Sequence, residues 1–382
     1  MNSPETAEEL AEALRRAALH ERTITLAGKG TKRLMAGPIE PADESISTAG
    51  LDGVLQYEPR DLTISVEAGL PWGELTGLLA QNRQMVPLDP PFAAEATVGG
   101  VIAANSSGPR RRLYGTARDL VIGMRFATLQ GKVVQSGGMV VKNVAGLDMA
   151  KLMIGSFGTL AAITVVNFKL LPMPEMERSF VLAFESLPAA MGARDRLLKS
   201  ALQPAAIDLL NPAAGAAIGN PAWLLAVETA GNAAAIARYG REMAELGDVM
   251  VYDGPRQQAL WEQIAEFTPR FLKDRPDGAV VRASCTLKEL EGVMASFEAP
   301  ALARAGSGVC YGYFEHSEAA AAWIAEAAGR GWKIVIEFSP EERKPELELW
   351  PAPGADLEIM RRVKNLFDPG NVLNRGRLYH RI

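Results

Sequence analysis

The stretch ATVGGVIAANSSG, residues 96 to 108, constrains this chain most, because two adjacent glycines precede a run of small residues and no side chain in it performs acid–base chemistry. Whatever it contributes must come through its backbone. Thr97 suits an N-cap, Gly99 and Gly100 let another surface approach closely, and Val101 to Ala104 continue as a short apolar helix or turn. Helix N-termini and glycine turns offer unpaired N–H groups that stabilise phosphate, so the stretch suits a large, flat, anionic ligand. A tightly packed structural turn accounts for a lone glycine pair as well.

Taken in order, the chain supplies a second loop of the same kind. Asn2 and Ser3 are plausible caps and Pro4 a plausible first residue for an amphipathic helix marked by Leu10, Leu14 and Ala17. Thr23 to Leu26 reads as a strand running into AGKGTK, residues 27 to 32. This is another phosphate-cradle candidate, although GxxxxGK[ST] is absent. Strands are expected at 45–48, 62–68 and 86–88, a helix from Pro71, and a hairpin whose arms, 120–129 and 132–135, flank Gln130-Gly131. Residues 142–172 read as a short helix, a glycine turn at GSFGT and a long strand.

The chain has 382 residues, enough for two domains with substantial cores. A formal charge of −5 with dispersed arginines gives no footprint for nucleic acid, and Arg110, Arg111 and Arg112 form the one local basic cluster. Cys285 and Cys310 lack CxxC spacing, so no disulfide framework, zinc site or iron–sulfur site can be read, and a reducing compartment fits. The charged start has no apolar secretion core, and no run of about 18 apolar residues occurs. A cytoplasmic or peripheral protein is expected.

In order and spacing, AGKGTK, DPPFAAEATVGGVIAANSSG, RLYGTARDLVIG and GSFGTLAAITVVNFKLLP resemble the flavin domain of the vanillyl-alcohol-oxidase family, the PCMH-type FAD-binding fold. The resemblance implies an α+β protein: a FAD-binding domain over 1–176, an α+β cap over 177–350, and a segment 351–382 that returns to the FAD domain. It also implies that Gly28, Lys29, Gly30, Thr31 and Lys32, with Thr97, Val98, Gly99 and Gly100, surround the FAD pyrophosphate. Asn105, Gly115, Gly158, Thr159 and Ile163 would contact the cofactor from neighbouring turns. Because AGKGTK contains neither His nor Cys, the FAD is expected to be non-covalent.

Beyond about Arg178 the pattern becomes β-α-β-β-α-β, with strands at 180–184, 206–210, 224–228 and 249–252, suggesting a ferredoxin-like cap. Further strands are expected at 279–283, 309–314 and 333–338, and no internal repeat is evident. Residues 355–379 read as a helix ending near Phe367, stopped by Asp368-Pro369-Gly370, then Asn374-Arg375-Gly376 where relatives commonly have Asn-Pro-Gly. Arg375 reads as a solvated arginine, or as one facing an anion or partner subunit.

A flavin itself carries hydride or electron transfer, whereas hydroxy-acid oxidation also needs a proton acceptor and a cation for the carboxylate. Hydroxy-acid flavoenzymes of the family carry several histidines in the cap, often with a metal; this chain has only His20, His316 and His380, without HxxxH or HxH spacing, so no metal site is expected. His20 reads as a helix C-cap and His316 as a loop or capping residue. Within the family, SSGPRRRLYGTARDLVIG and GGMVVKNVAGLDMAKLMIGSFGTL resemble the FAD-binding subunits of glycolate oxidase complexes. That implies a larger catalytic flavoprotein and an iron–sulfur subunit as partners, with glycolate oxidised to glyoxylate and this chain serving electron transfer or assembly. Two alternatives stay open: a stand-alone FAD dehydrogenase for a 2-hydroxy acid, with Arg110 to Arg112, Lys142 or His316 in its pocket, or an assembly subunit with structural FAD.

Overall fold

A computed structural model describes residues 2–140, 147–379 and 382. The chain divides into two compact units, the first made of Met1–Ser107, Gly115–Met173 and Ala352–Ile382, the second of Gly108–Tyr114 and Pro174–Pro351. The division therefore falls at Met173, a little before the expected 176, and Gly108–Tyr114 joins the second unit.

In the first unit β1 (Ile24–Ala27) pairs in parallel with β2 (Glu44–Ser47). A five-stranded antiparallel sheet follows the order β3 (Val54–Glu58), β4 (Thr63–Glu67), β8 (Ala162–Lys169), β6 (Val121–Ala127), β7 (Val133–Gly137). The mostly apolar β8, interrupted by Thr164 and Asn167, suits its central place, where almost every residue is buried. The expected hairpin is β6–β7, turned at Gly131, whose φ of 76° favours glycine. A two-residue pair, β5 (Gln84–Met85) with β9 (Leu171–Pro172), completes the unit. It replaces the strand expected at 86–88. The exposed β3 escaped sequence reading because an edge strand with little buried surface carries no apolar alternation.

The opening helix, Ala7–Leu19, buries Leu10, Leu14 and Ala17 as expected, but Thr6 caps it rather than Asn2 or Ser3. Thr6 Oγ1 accepts from Glu9 N at 3.1 Å, and Glu9 accepts from Glu5 N, so Thr6 to Glu9 holds the start of the helix. Asn2 instead pairs beside β2, donating its N–H to Ser45 O. His20 occupies the C-cap position as read.

The second unit is an eight-stranded antiparallel sheet. Its first half, β10 (Met176–Phe184), β11 (Ala206–Leu210), β12 (Trp223–Gly231) and β13 (Val249–Tyr252), lies in the order β13-β10-β12-β11. Helices Leu187–Lys199 and Ala233–Ala244 cross between the strands, so this half has the expected ferredoxin-like topology. The second half corrects the reading that no repeat exists. β14 (Ala279–Ser284), β15 (Ala301–Arg304), β16 (Val309–Phe314) and β17 (Lys333–Phe338), with helices Leu290–Ala295 and Ser317–Ala327, run in the order β15-β16-β14-β17. That is the same topology again, and the two halves join where β11 meets β15 in antiparallel register. The four helices share one core with Leu209, Val227, Val281 and Ile336, where Phe297 stacks on Trp323 at 4.4 Å between centroids.

The opposite sheet face holds ion pairs among buried apolar residues such as Leu210 and Val280. At the join Asp208 pairs with Arg304, both buried, and Arg282 pairs with Glu337 at 2.9 Å. Arg110 forks onto the nearly fully buried Glu228, at 2.7 and 3.0 Å, and also reaches Glu177. Arg112 donates to Pro204 O. The basic cluster noted in the sequence is thus committed, through Arg110 and Arg112, to holding Gly108–Tyr114 on the second unit.

Asp208→Ala leaves the Arg304 guanidinium buried without its carboxylate, at a cost of about 3–5 kcal/mol. Urea unfolding should register this loss, whereas the double variant Asp208→Leu with Arg304→Met should recover most of it. Equal losses in the two would contradict the ion-pair account.

Candidate functional site

A cavity of about 390 Å³, within the ordinary range for a small-molecule site, lies in the first unit. One wall comes from the end of β1 and the loop that follows: Leu26, Ala27, and Gly28, Lys29, Gly30, Thr31 and Lys32. Facing them are Thr97, Gly99 and Gly100, then Ala103 and Ala104, of the Val98–Ala103 helix and its C-cap. Phe157, Gly158, Ala161 and Ile163 form an apolar wall, and Asn374 and Arg377 close the floor from the C-terminal segment. The structure thus gathers the two glycine stretches that lie about seventy residues apart in sequence.

The two stretches do different work. At the helix start Thr97 is the N-cap, as read, and its Oγ1 accepts from Gly100 N at 3.2 Å. Val98 N donates to Leu70 O at 2.9 Å and Gly99 N to Ala68 O at 2.6 Å. The unpaired N–H groups expected at this helix start are therefore already satisfied by protein. Gly99 is needed for packing: a Cβ there would come within 2.8 Å of Ala68 Cβ. By contrast, the N–H groups of Gly28, Lys29, Gly30 and Thr31 donate to no acceptor among the described residues. Four consecutive donors without an acceptor among the described residues line the cavity, with the exposed Lys29 beside them, an arrangement chemically suited to a diphosphate. Lys32 is mostly buried; its Nζ donates to Pro91 O at 2.6 Å and sits over the Phe92 ring.

Four of the residues implied by resemblance do not line the cavity. Val98 is buried in the core, and Asn105 is exposed just past the helix with a φ of 49°. Gly115 precedes the Thr116–Asp119 capping box, and the fully buried Thr159 donates to Ser156 O at 2.8 Å. His316 is exposed at a helix N-cap position and makes no side-chain cap bond; neither it nor His20 lines the cavity. Lys142 and His380 lie outside the described residues.

Sequence reading missed the floor. Asn374 Oδ1 accepts from Leu26 N at 2.7 Å, and its Nδ2 donates to Leu26 O at 3.1 Å and Phe157 O at 2.8 Å, so one amide clasps two walls. Arg377 donates to the carbonyls of Lys32, Arg33 and Gly37, fixing the far end of the 28–32 loop. Turn formers from Asp368 to Gly376 were the available signal, and they announce a turn without saying what it packs against. Arg375 lies on the surface, bonded to Pro41 O and paired with Glu40.

A free-donor loop opposite an anchored glycine helix, with an apolar wall beside both, suits a dinucleotide carrying a flat ring. Residues 2–137 match the family of the FAD binding domain, and residues 343–378 match the C-terminal domain of FAD linked oxidases. Among solved structures, p-cresol methylhydroxylase aligns over 98% of this chain and 87% of its own, at TM-score 0.77 and 15% identity. An alkyldihydroxyacetonephosphate synthase aligns over 97% and 75%, at 0.75 and 18%. The fold is therefore α+β of the PCMH type, and the cofactor is FAD. Over the matched residues the chain is similar to FAD-linked oxidases. Glycolate oxidase subunit GlcE of Escherichia coli is 34% identical over 171 residues, 44% of this chain and 48% of that protein. The chain thus matches about half of that relative's length. D-lactate dehydrogenase of Archaeoglobus fulgidus is 26% identical over 99% of this chain and 91% of its own length.

A Cβ at Gly100 meets nothing within 4 Å except Thr97 Oγ1, so the branched side chain of Gly100→Val would project into the cavity. Flavin-to-protein absorbance of purified variants should fall for Gly100→Val and stay unchanged for His316→Ala. Asn374→Leu forfeits the Leu26 and Phe157 bonds, at about 1–3 kcal/mol for the buried groups left unpaired. It should lower both flavin retention and the unfolding midpoint; unchanged retention would remove Asn374 from the site.

Proposed function

We propose that this chain is the FAD-binding subunit of a glycolate-oxidising complex, beside a larger catalytic flavoprotein and an iron–sulfur subunit, and that it serves electron transfer or assembly there. The observation carrying the cofactor part is the run of four free N–H groups, Gly28 to Thr31. These donors and the Lys29 ammonium hold the pyrophosphate, and Gly100 leaves room for close approach opposite. Phe157, Ala161 and Ile163 exclude water along one side. FAD, when bound, supplies two-electron transfer chemistry. The likeness to GlcE supports the subunit role, and a 28% match over 211 residues to glycolate oxidase subunit GlcD of Bacillus subtilis agrees with it. No helix among the described residues is long and apolar enough to cross a membrane.

A second reading, a stand-alone dehydrogenase for a 2-hydroxy acid, draws support from the near full-length likeness to the Archaeoglobus D-lactate dehydrogenase. Flavin absorbance separates the two. Under anaerobic conditions the purified FAD-loaded chain should keep its visible flavin band when mixed with excess glycolate or D-lactate, and the band should bleach only when the partner subunits are restored. Rapid bleaching of the isolated chain would establish the stand-alone reading instead.

That neither His nor Cys stands among the described cavity-lining residues supports a FAD held without a covalent bond. Acid precipitation should leave the yellow colour in the supernatant. Colour in the pellet would overturn this.

A further inference from the structure

The two cysteines, 25 positions apart in sequence, are brought together by strand pairing in the second unit. β14 and β16 run antiparallel with Ala283 opposite Cys310 and Ser284 opposite Val309. Cys285 follows directly, its N–H donating to Gly308 O at 2.9 Å, which continues the ladder by one step. Side chains alternate along a strand, so Cys285 shares the face of Ala283, and hence of Cys310, as its diagonal neighbour. Both sulfurs are free, and the two thiols lie within hydrogen-bonding reach of each other.

Their environments differ in a way that assigns roles. Cys310 is fully buried, whereas Cys285 is half-buried at the strand end. The hydrogen bond from Cys310 lowers the Cys285 thiol, opposed by its burial and by the Glu289 carboxylate and aided weakly by Arg194, and the same contact together with burial pushes Cys310 well up. Arg194 is itself fixed close by, donating to Leu287 O and Ala305 O. Access, which oxidation by peroxide requires, thus falls to Cys285, with a second thiol in place behind it on the same sheet face.

We propose that Cys285 and Cys310 form a peroxide-oxidisable dithiol that closes to an intramolecular disulfide across β14 and β16. The Cys285 thiolate attacks the O–O bond of hydrogen peroxide, an S–O bond forms, and hydroxide leaves to become water. The Cys310 thiol then attacks the Cys285 sulfenic sulfur, the S–S bond forms, the S–O bond breaks, and the Cys310 proton departs with the oxygen as a second water. Two thiols are oxidised and one peroxide is reduced, and reduction by an external dithiol reverses the sequence.

The test uses the intact FAD-loaded protein exposed to equimolar hydrogen peroxide. Thiol titration after denaturation should fall from both cysteines to none, intact mass should drop by two hydrogens, and dithiothreitol should restore both. Cys310→Ser should instead stop at the sulfenic acid, which dimedone captures at Cys285. Cys285→Ser should leave Cys310 unoxidised under the same treatment. Persistence of both thiols in the unmodified protein, disulfide found only between chains, or oxidation of Cys310 ahead of Cys285 would overturn the proposal.

Discussion

One buried ammonium organises the ligand-binding unit. Lys364 Nζ donates to Thr159 O at 2.8 Å, Leu373 O at 2.9 Å and Asp368 Oδ2 at 2.7 Å, so all three of its protons are used. Asp368, fully buried, accepts in turn from Val372 N and Leu373 N. Burial lowers the Lys364 pKa, and the Asp368 charge offsets only part of that. Between the lowered value and the ordinary 10.5 the folded chain binds fewer protons than the unfolded one, so this group's contribution to stability rises with pH there; below that window its desolvation cost is fully present. A buried charge of this kind is weak evidence for stability but fixes direction well, since each donor has a single acceptor. Beyond the cluster the chain runs beside β1, where Ile24 N donates to Val372 O and Ile24 O accepts from Asn374 N.

That constraint propagates to chemistry. β1 leads without a break into Gly28 to Thr31, the loop of free donors, and Thr159 ends the turn that carries Phe157 and Gly158. Lys364 and Asn374 therefore set the separation of two cavity walls without themselves supplying the phosphate donors. Backbone recognition depends on such support, because a preorganised donor set binds an anion without the ordering cost of a flexible loop.

Local signals made much of this legible. The Thr97 cap, the β6–β7 hairpin, the long buried β8 and the two glycine stretches follow from spacing and turn chemistry, and the α+β class came with the family resemblance. Relations between distant segments were not legible. Asn374 reads as a turn residue until Leu26 and Phe157 are seen against it, and Lys364 reads as an exposed helical lysine in a charged run. The repeat in the second unit was hidden for another reason. Its halves share strand order but need only apolar alternation and a crossing helix, which unrelated residues satisfy, so β10 to β13 and β14 to β17 carry no common words. Cys285 and Cys310 failed the CxxC template because their proximity is a property of register between β14 and β16.

The glycine pair at 99 and 100 shows how one sequence feature can point to a site while misassigning the atoms. A helix beginning with free N–H groups would have been an anion site by itself. Here Val98 and Gly99 spend their donors on Leu70 O and Ala68 O, and Gly100 spends its own on the cap. Those bonds anchor the helix start to the end of β4 and the turn after it, which only a residue without Cβ at 99 could approach. A rigid wall results, with no donor left over. The loop at 28 to 31 has the opposite balance, since Gly30 adopts a φ of 76° with no neighbour within 4 Å of its Cβ position and its N–H groups remain unspent. Gly28 packs as tightly as Gly99, since a Cβ there would collide with Thr97 Oγ1, so what separates the two stretches is their N–H groups, satisfied by protein in the helix start and unspent in the loop.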